Sequence, residues 1–212
     1  MKKIVSLLLT AVTLLSVGLS CASCAKLDTT GLLEDAPVLI ARSATLNEIY
    51  YGTGIPYDEN AVGATGNYYP ADKAYLAEAG FSTVAALKAL TAEVFSAAYC
   101  AILYQSAFEG FSAEGSGYVY ARYSSSQAEN LRDEKETILV NSKHTGTAIG
   151  QSTYDFSTLA LGRVGKDYAT VTLSVTTVYA PGEQMPDGLT TTDVMEIRFV
   201  YEDGWRIDSP TY

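Results

Sequence analysis

The chain has one histidine, one tryptophan and three cysteines in 212 residues. A single imidazole excludes a histidine-rich metal centre, and three thiols cannot build a disulfide framework. Basic residues are also scarce: 14 Lys and Arg stand against 24 Asp and Glu, a formal charge of −10. Such a chain repels phosphate backbones, which excludes nucleic acid as a partner. No Gly-x-Gly-x-x-Gly follows a strand pattern and no Gly-Lys-Ser/Thr phosphate loop occurs, so no cofactor is expected. The acidic groups Asp58-Glu59 and Asp133-Glu134 with Glu136 lack calcium-loop spacing, so no metal is expected either. There is no internal repeat, and after residue 25 no apolar run long enough to cross a bilayer. What abounds is tyrosine, 16 against 6 Phe, in a composition 48% hydrophobic and 18% charged that suits one globular domain.

Residues 1–25 read as an address. Met1-Lys2-Lys3 is a short basic start, Ile4 to Leu19 is almost unbroken apolar sequence, and Ser20-Cys-Ala-Ser-Cys-Ala25 is a patch of small residues. That order is a bacterial secretion signal. Cleavage after Ala22 or Ala25 and lipidation of Cys21 both stay open, since neither Cys21 nor Cys24 follows the usual lipobox. The expected location is therefore extracellular or cell-surface, with no membrane span after processing and with a lipid anchor left open. Losing Lys2 and Lys3 with no acid takes the charge from −10 to −12. Cys100, in a helical pattern between Tyr99 and Ala101, reads as a small core residue.

Residues 26–36 read as a polar tether and 37–212 as a single α+β domain. Asp35-Ala36-Pro37 predicts a helix start, with Leu39, Leu46, Ile49 and Tyr50 on one face and Gly52 and Gly54 as the stop. A Gly- and Tyr-rich connector spans Ile55 to Pro70. Ser82 is the candidate cap of a second helix through Val84, Leu87, Leu90 and Val94. Ser96 caps a third through Tyr99, Ile102, Leu103 and Phe108, and Gly110 ends the helical half. The period then changes to two. Strands are predicted over Tyr118–Tyr123, Glu136–Val140, Tyr154–Leu161 and Tyr168–Tyr179, with a polar linker from Ser124 to Asp133. In Tyr168–Tyr179, Ala169, Val171, Leu173 and Val175 face one way and Thr170, Thr172, Ser174 and Thr176 the other. A last strand carries Met195, Ile197, Phe199 and Tyr201, and Glu202-Asp-Gly204 turns it into Trp205 and Ile207. Helices followed by strands predict α+β, with N-terminal helices on a curved antiparallel sheet covered on one side.

This element order, closed by Asp203-Gly-Trp-Arg-Ile207, resembles the NTF2-like and cystatin-like α+β superfamily. The resemblance implies helices packed into the concave face of a bent sheet, a cone. The helical half followed by this ending also resembles the exported DL-endopeptidase inhibitors of Gram-positive bacteria.

Enzymes with the NTF2-like cone pair an Asp with a His or Tyr, so the resemblance directs attention to His144 and Asp155. His144 titrates near neutrality but lies in the polar stretch Asn141–Gly146, where a solvated turn histidine is the plainer reading. Asp155, between Tyr154 and Phe156, reads either as a buried carboxylate or as an outward strand residue. Arg122 alternates with Tyr118 and Tyr120, an arrangement that binds a carboxylate or merely covers tyrosine rings on an exposed face. No residue is assigned a catalytic role. The recurrent tyrosines suit a recognition surface. The leading expectation is an exported, non-catalytic binding module that engages a protein or cell-wall component of the envelope. Inhibition of a wall hydrolase is what the resemblance implies. The alternatives are a small-molecule-binding cone or lyase/isomerase-type enzyme, and a homodimer joined through the Thr face of the long strand.

Overall fold

The computed structural model describes residues 26–60, 64, 66–113, 117–119, 121–125, 136–144, 150–179 and 188–212, with 111–113 and 117–119 as backbone only. The secretion signal, with Cys21, lies outside the described residues.

Helix α1 spans Leu32–Tyr50, so it begins before the expected start at Asp35-Ala36-Pro37. Gly31, in the left-handed region at φ 78°, leads into it, and Glu34 and Asp35 in the first turn suit the positive end of the dipole. Pro37 lies inside the helix, where it costs the Leu33 carbonyl its donor. The buried positions Leu32, Ala36, Leu39 and Ile40 carry the apolar face upstream of the proline, which overrides it. The tether reading is corrected accordingly: from Leu32 the segment is helix that buries Leu32 and Ala36, and the Leu27 N–H donates to the Gly165 carbonyl at 2.9 Å.

Three short helices follow. Helix α2, Lys73–Ala79, is capped by Asp72, whose Oδ1 accepts from the N–H groups of Ala74 and Tyr75, and stops at Gly80. Helix α3, Val84–Ala92, is capped by Thr83 rather than Ser82: Thr83 Oγ1 accepts from the Ala86 N–H at 3.1 Å. Helix α4, Ala97–Tyr104, has the expected cap, Ser96 Oγ accepting from the Tyr99 N–H at 3.0 Å. A single π-helical turn, Gln105–Glu109, then ends at Gly110.

The strands are β1 (Tyr68–Pro70), β2 (Phe111–Ala113), β3 (Gly117–Val119), β4 (Tyr123–Ser125), β5 (Ile138–Asn141), β6 (Gln151–Val164), β7 (Ala169–Tyr179), β8 (Leu189–Tyr201) and β9 (Trp205–Ile207). They form three antiparallel sheets: β6-β7-β8-β9, β1-β5-β4 and the hairpin β2-β3. The stretch Tyr118–Tyr123 is thus not one strand but parts of two sheets. Ser124 and Ser125 of the expected linker belong to β4, and its residues 126–133 lie outside the described residues.

The large sheet positions everything else. Ala169, Val171, Leu173 and Val175 of β7 are all buried and face the helices, as the alternation predicts. Ile197 and Phe199 of β8 and Ile207 of β9 are wholly buried with them, and α1 packs on β9 and β6. The hairpin from Asp203 to Ile207 joins sheet to helices. Trp205 Nε1 donates to the Thr30 carbonyl at 3.2 Å, and the backbone of Ile207 exchanges hydrogen bonds with Val94 and Ser96. The fold is therefore α+β, with helices on one face of an antiparallel sheet.

Candidate recognition site

Beyond Val175 the sheet outruns its helical cover. Thr176 and Thr177 are half-buried, Val178 and Tyr179 are exposed, and most of β8 from Leu189 to Val194 is exposed. Pairing sets which side chains share a face there. Tyr154 pairs with core-facing Val175 and Ser152 with Thr177, so Tyr154 and Ser152 lie on the helix side of β6. Between this end of β6 and the C-terminal half of α1 runs a cleft of about 360 Å³, lined by Ala44, Asn47, Glu48, Gly150 to Tyr154, and Tyr212. Its size is at the low end for small-ligand sites, which run to roughly 300–1,000 Å³.

The walls are held by a polar cluster on the inner side of α1. Ser43 and Asn47 lie one turn apart and are buried. Thr211 Oγ1 stands 2.7 Å from Ser43 Oγ and accepts from Asn47 Nδ2 at 2.7 Å, while Tyr154 OH donates to the Thr211 carbonyl at 2.7 Å. The C-terminal segment is thereby fixed to both α1 and β6. Tyr212, next along, rests its ring 4.7 Å from that of Tyr51 with 46% of the residue still exposed. Burial, then the neighbouring Tyr51, push its phenol up to about 12. Glu48 Oε1 accepts from the Thr53 N–H at 2.7 Å and Oγ1 at 2.6 Å. Gly52 allows this approach, because a Cβ there would lie 2.2 Å from Glu48 Oε2.

The residues singled out from sequence go elsewhere. Arg122 is 2% exposed and closes the end of α1, donating to the carbonyls of Tyr50 at 2.9 Å and Gly52 at 2.5 Å. Tyr123 beside it donates to the Ile49 carbonyl at 2.6 Å and accepts from the Ile55 N–H. A guanidinium so placed satisfies helix-end carbonyls and opposes the dipole, so it is a structural cap and not a carboxylate clamp. Gly54 makes room for it at φ +84°, where a Cβ would meet Arg122 Nη2 at 2.3 Å.

His144 does come near Arg122. Burial first, then the Arg122 charge, lowers its pKa below the usual value. Its Nδ1 is buried and has no hydrogen-bond partner among the described residues. Asp155 is exposed, and its Oδ1 accepts from the N–H and hydroxyl of Ser157. It shapes the irregularity in β6 between Asp155 and Ala160, which corrects the buried-carboxylate reading. Tyr118 is on β3, of which only the backbone is described, and Tyr120 lies outside the described residues. Among the described residues no cluster of three metal-binding side chains occurs.

Most of the described tyrosines are buried or half-buried. Tyr50, Tyr99 and Tyr123 are buried, and Tyr68, Tyr104 and Tyr154 each donate to a backbone carbonyl. Tyr179, Tyr201 and Tyr212 are the exposed ones among those described. Sequence reasoning missed Asn47, Glu48, Thr211 and Tyr212. Ser43 and Asn47 did carry a signal, as polar residues at helical spacing on an otherwise apolar face.

No protein-family model matches the chain, and no curated protein or solved structure is significantly similar to it.

Proposed function

We propose that the chain is an exported, non-catalytic binding module of a Gram-positive cell envelope, which holds its partner in the cleft between α1 and β6. The observation that carries this reading is the composition of that cleft. It is an open concavity of mixed polar and apolar lining at an overhanging sheet end, yet among its described lining residues Glu48 is the sole acidic side chain and no basic side chain joins it. Acid–base catalysis needs a positioned pair with one member titrating near the working pH. Binding needs only shape and hydrogen-bonding groups.

The helix–sheet interior supports the same reading over a ligand-filled cone. Ile40, Ile49, Leu173, Ile197 and Phe199 occupy it, each at most 1% exposed. The likeness to the NTF2-like and cystatin-like cone rests on element order and on the Asp203–Ile207 hairpin, whose Trp205 serves packing. Export rests on residues 1–25, with ordinary cleavage and a Cys21 lipid anchor both retained. A charge of −12 after processing disfavours anionic partners, whether protein or cell-wall component.

The test is capture from a Gram-positive envelope extract on the immobilised chain at low and at high salt. The expected result is a partner retained by the parent chain and lost in the Tyr212→Ala variant. Recovery of nothing under either condition overturns the reading.

A further inference from the structure

Resting on the reading of the cleft as a recognition site, we infer that its ligand is a neutral glycan chain, bound along the open edge of β6 with one sugar ring against Tyr212. Three independent features of the cleft select this chemistry.

The first is its hydrogen-bonding character. Of the β6 residues that line it, Ser152 and Tyr154 face the helix side, and hydroxyl groups both donate and accept, as sugar hydroxyls do. β6 is also the edge of its sheet, with no described strand on its far side, so its outward backbone N–H and C=O groups add to the same capacity. The second is charge. The Glu48 carboxylate, half engaged by Thr53, accepts from hydroxyls but repels phosphate and carboxylate ligands. A cationic peptide would find only this one acidic side chain among the described lining residues.

The third is shape. Gly150 to Tyr154 line the cleft as five consecutive residues, an open trough of about 13 Å at ~3.3 Å per step. That suits a chain that passes through rather than a single enclosed molecule. At one side stands the half-exposed ring of Tyr212, held by Tyr51 and by the Thr211 bonds to α1. A fixed aromatic face of this kind takes the apolar C–H face of a pyranose at little entropic cost.

The experiment is calorimetric titration of the full chain with chitohexaose, a neutral hexasaccharide, beside hyaluronan hexasaccharide as an anionic glycan and hexalysine as a cationic peptide. Saturable binding of chitohexaose is expected, little changed by salt, with neither charged probe binding comparably. Tyr212→Ala and Ser152→Ala each weaken it about tenfold or more, with far-UV circular dichroism unchanged. Tyr201→Ala, at an exposed ring outside the cleft, leaves it intact. Absence of saturable binding, or binding indifferent to both cleft variants, overturns the inference. If Tyr212-dependent capture from envelope extract persists when chitohexaose fails, the glycan class is wrong and the recognition site stands. If the capture fails as well, both fall.

Discussion

Asn47 donates from Nδ2 to Thr211 Oγ1 at 2.7 Å, across 164 residues of sequence, and this bond fixes the position of Tyr212 at the cleft. Thr211 is wholly buried, and its hydroxyl meets Ser43 as well. Thr211→Val keeps the volume but strands the Asn47 amide. The expected loss is about 1–3 kcal/mol of stability by urea unfolding, because a buried donor left unpaired costs its full desolvation. Thr211→Ser should recover most of it. A Thr211→Val chain as stable as the parent would show that the cluster contributes nothing.

Arg122 and the end of α1 supply a second test. Arg122→Met leaves the carbonyls of Tyr50 and Gly52 without their charged donor, and a loss of about 1.5–3 kcal/mol is expected from hydrogen bonds of that kind. Arg122→Lys should restore little, since one ammonium cannot reproduce the fork that reaches both carbonyls. Thermal unfolding followed at 222 nm checks both. Chitohexaose affinity of the folded Arg122→Met protein should match the parent, which separates a capping role from a ligand-binding one.

His144 makes a signed prediction about acid. Its folded pKa lies below the usual 6.5 because of burial and then Arg122. As pH falls through 6.5 the unfolded chain takes up a proton that the folded chain refuses. Stability is therefore fully present above about 6.5 and declines as pH falls toward the lowered folded value. Urea midpoints measured between pH 5 and 7.5 should show this slope, and His144→Gln should flatten it. An unchanged slope in the variant contradicts the assignment.

The internal tyrosines make the opposite prediction for base. Burial raises the phenols of Tyr50, Tyr51 and Tyr104, and it pushes Tyr123 up to about 12. Groups so raised contribute stability that is present below the ordinary value of 10 and is lost as pH climbs toward 12. Tyrosinate absorbance should therefore rise in two phases. An exposed set titrates near 10, and a later, steeper set ionises as the protein unfolds. A single phase near 10 would place the tyrosines on the surface.

Much of the fold was legible because its signals are local. The alternation in β7 marked the four core-facing residues, Ser96 marked the start of α4, and Glu202-Asp-Gly204 marked the last hairpin. Local signals also misled where a longer-range effect was stronger. Pro37 looked like a first-turn residue, but the apolar face from Leu32 to Ile40 extends α1 past it. Ser82 and Thr83 are chemically equivalent caps, and only the backbone path chooses between them. Helix α2, with Leu76 its one buried residue, is too short to show a period. The site was hardly legible at all. Arg122 was noticed for its charge, but its partners lie 70 and 72 residues away. Thr211 and Tyr212 gain meaning only when the C-terminal segment reaches α1.

The most direct measurement of the central claim is amide hydrogen exchange on the full chain with and without a solubilised digest of Gram-positive cell wall. The account predicts slowed exchange concentrated in Gly150–Tyr154 and in the segment through Thr211 and Tyr212, with the Arg122–Tyr123 region unchanged. Slowing confined to other parts of the chain, or none at any concentration of digest, would contradict it.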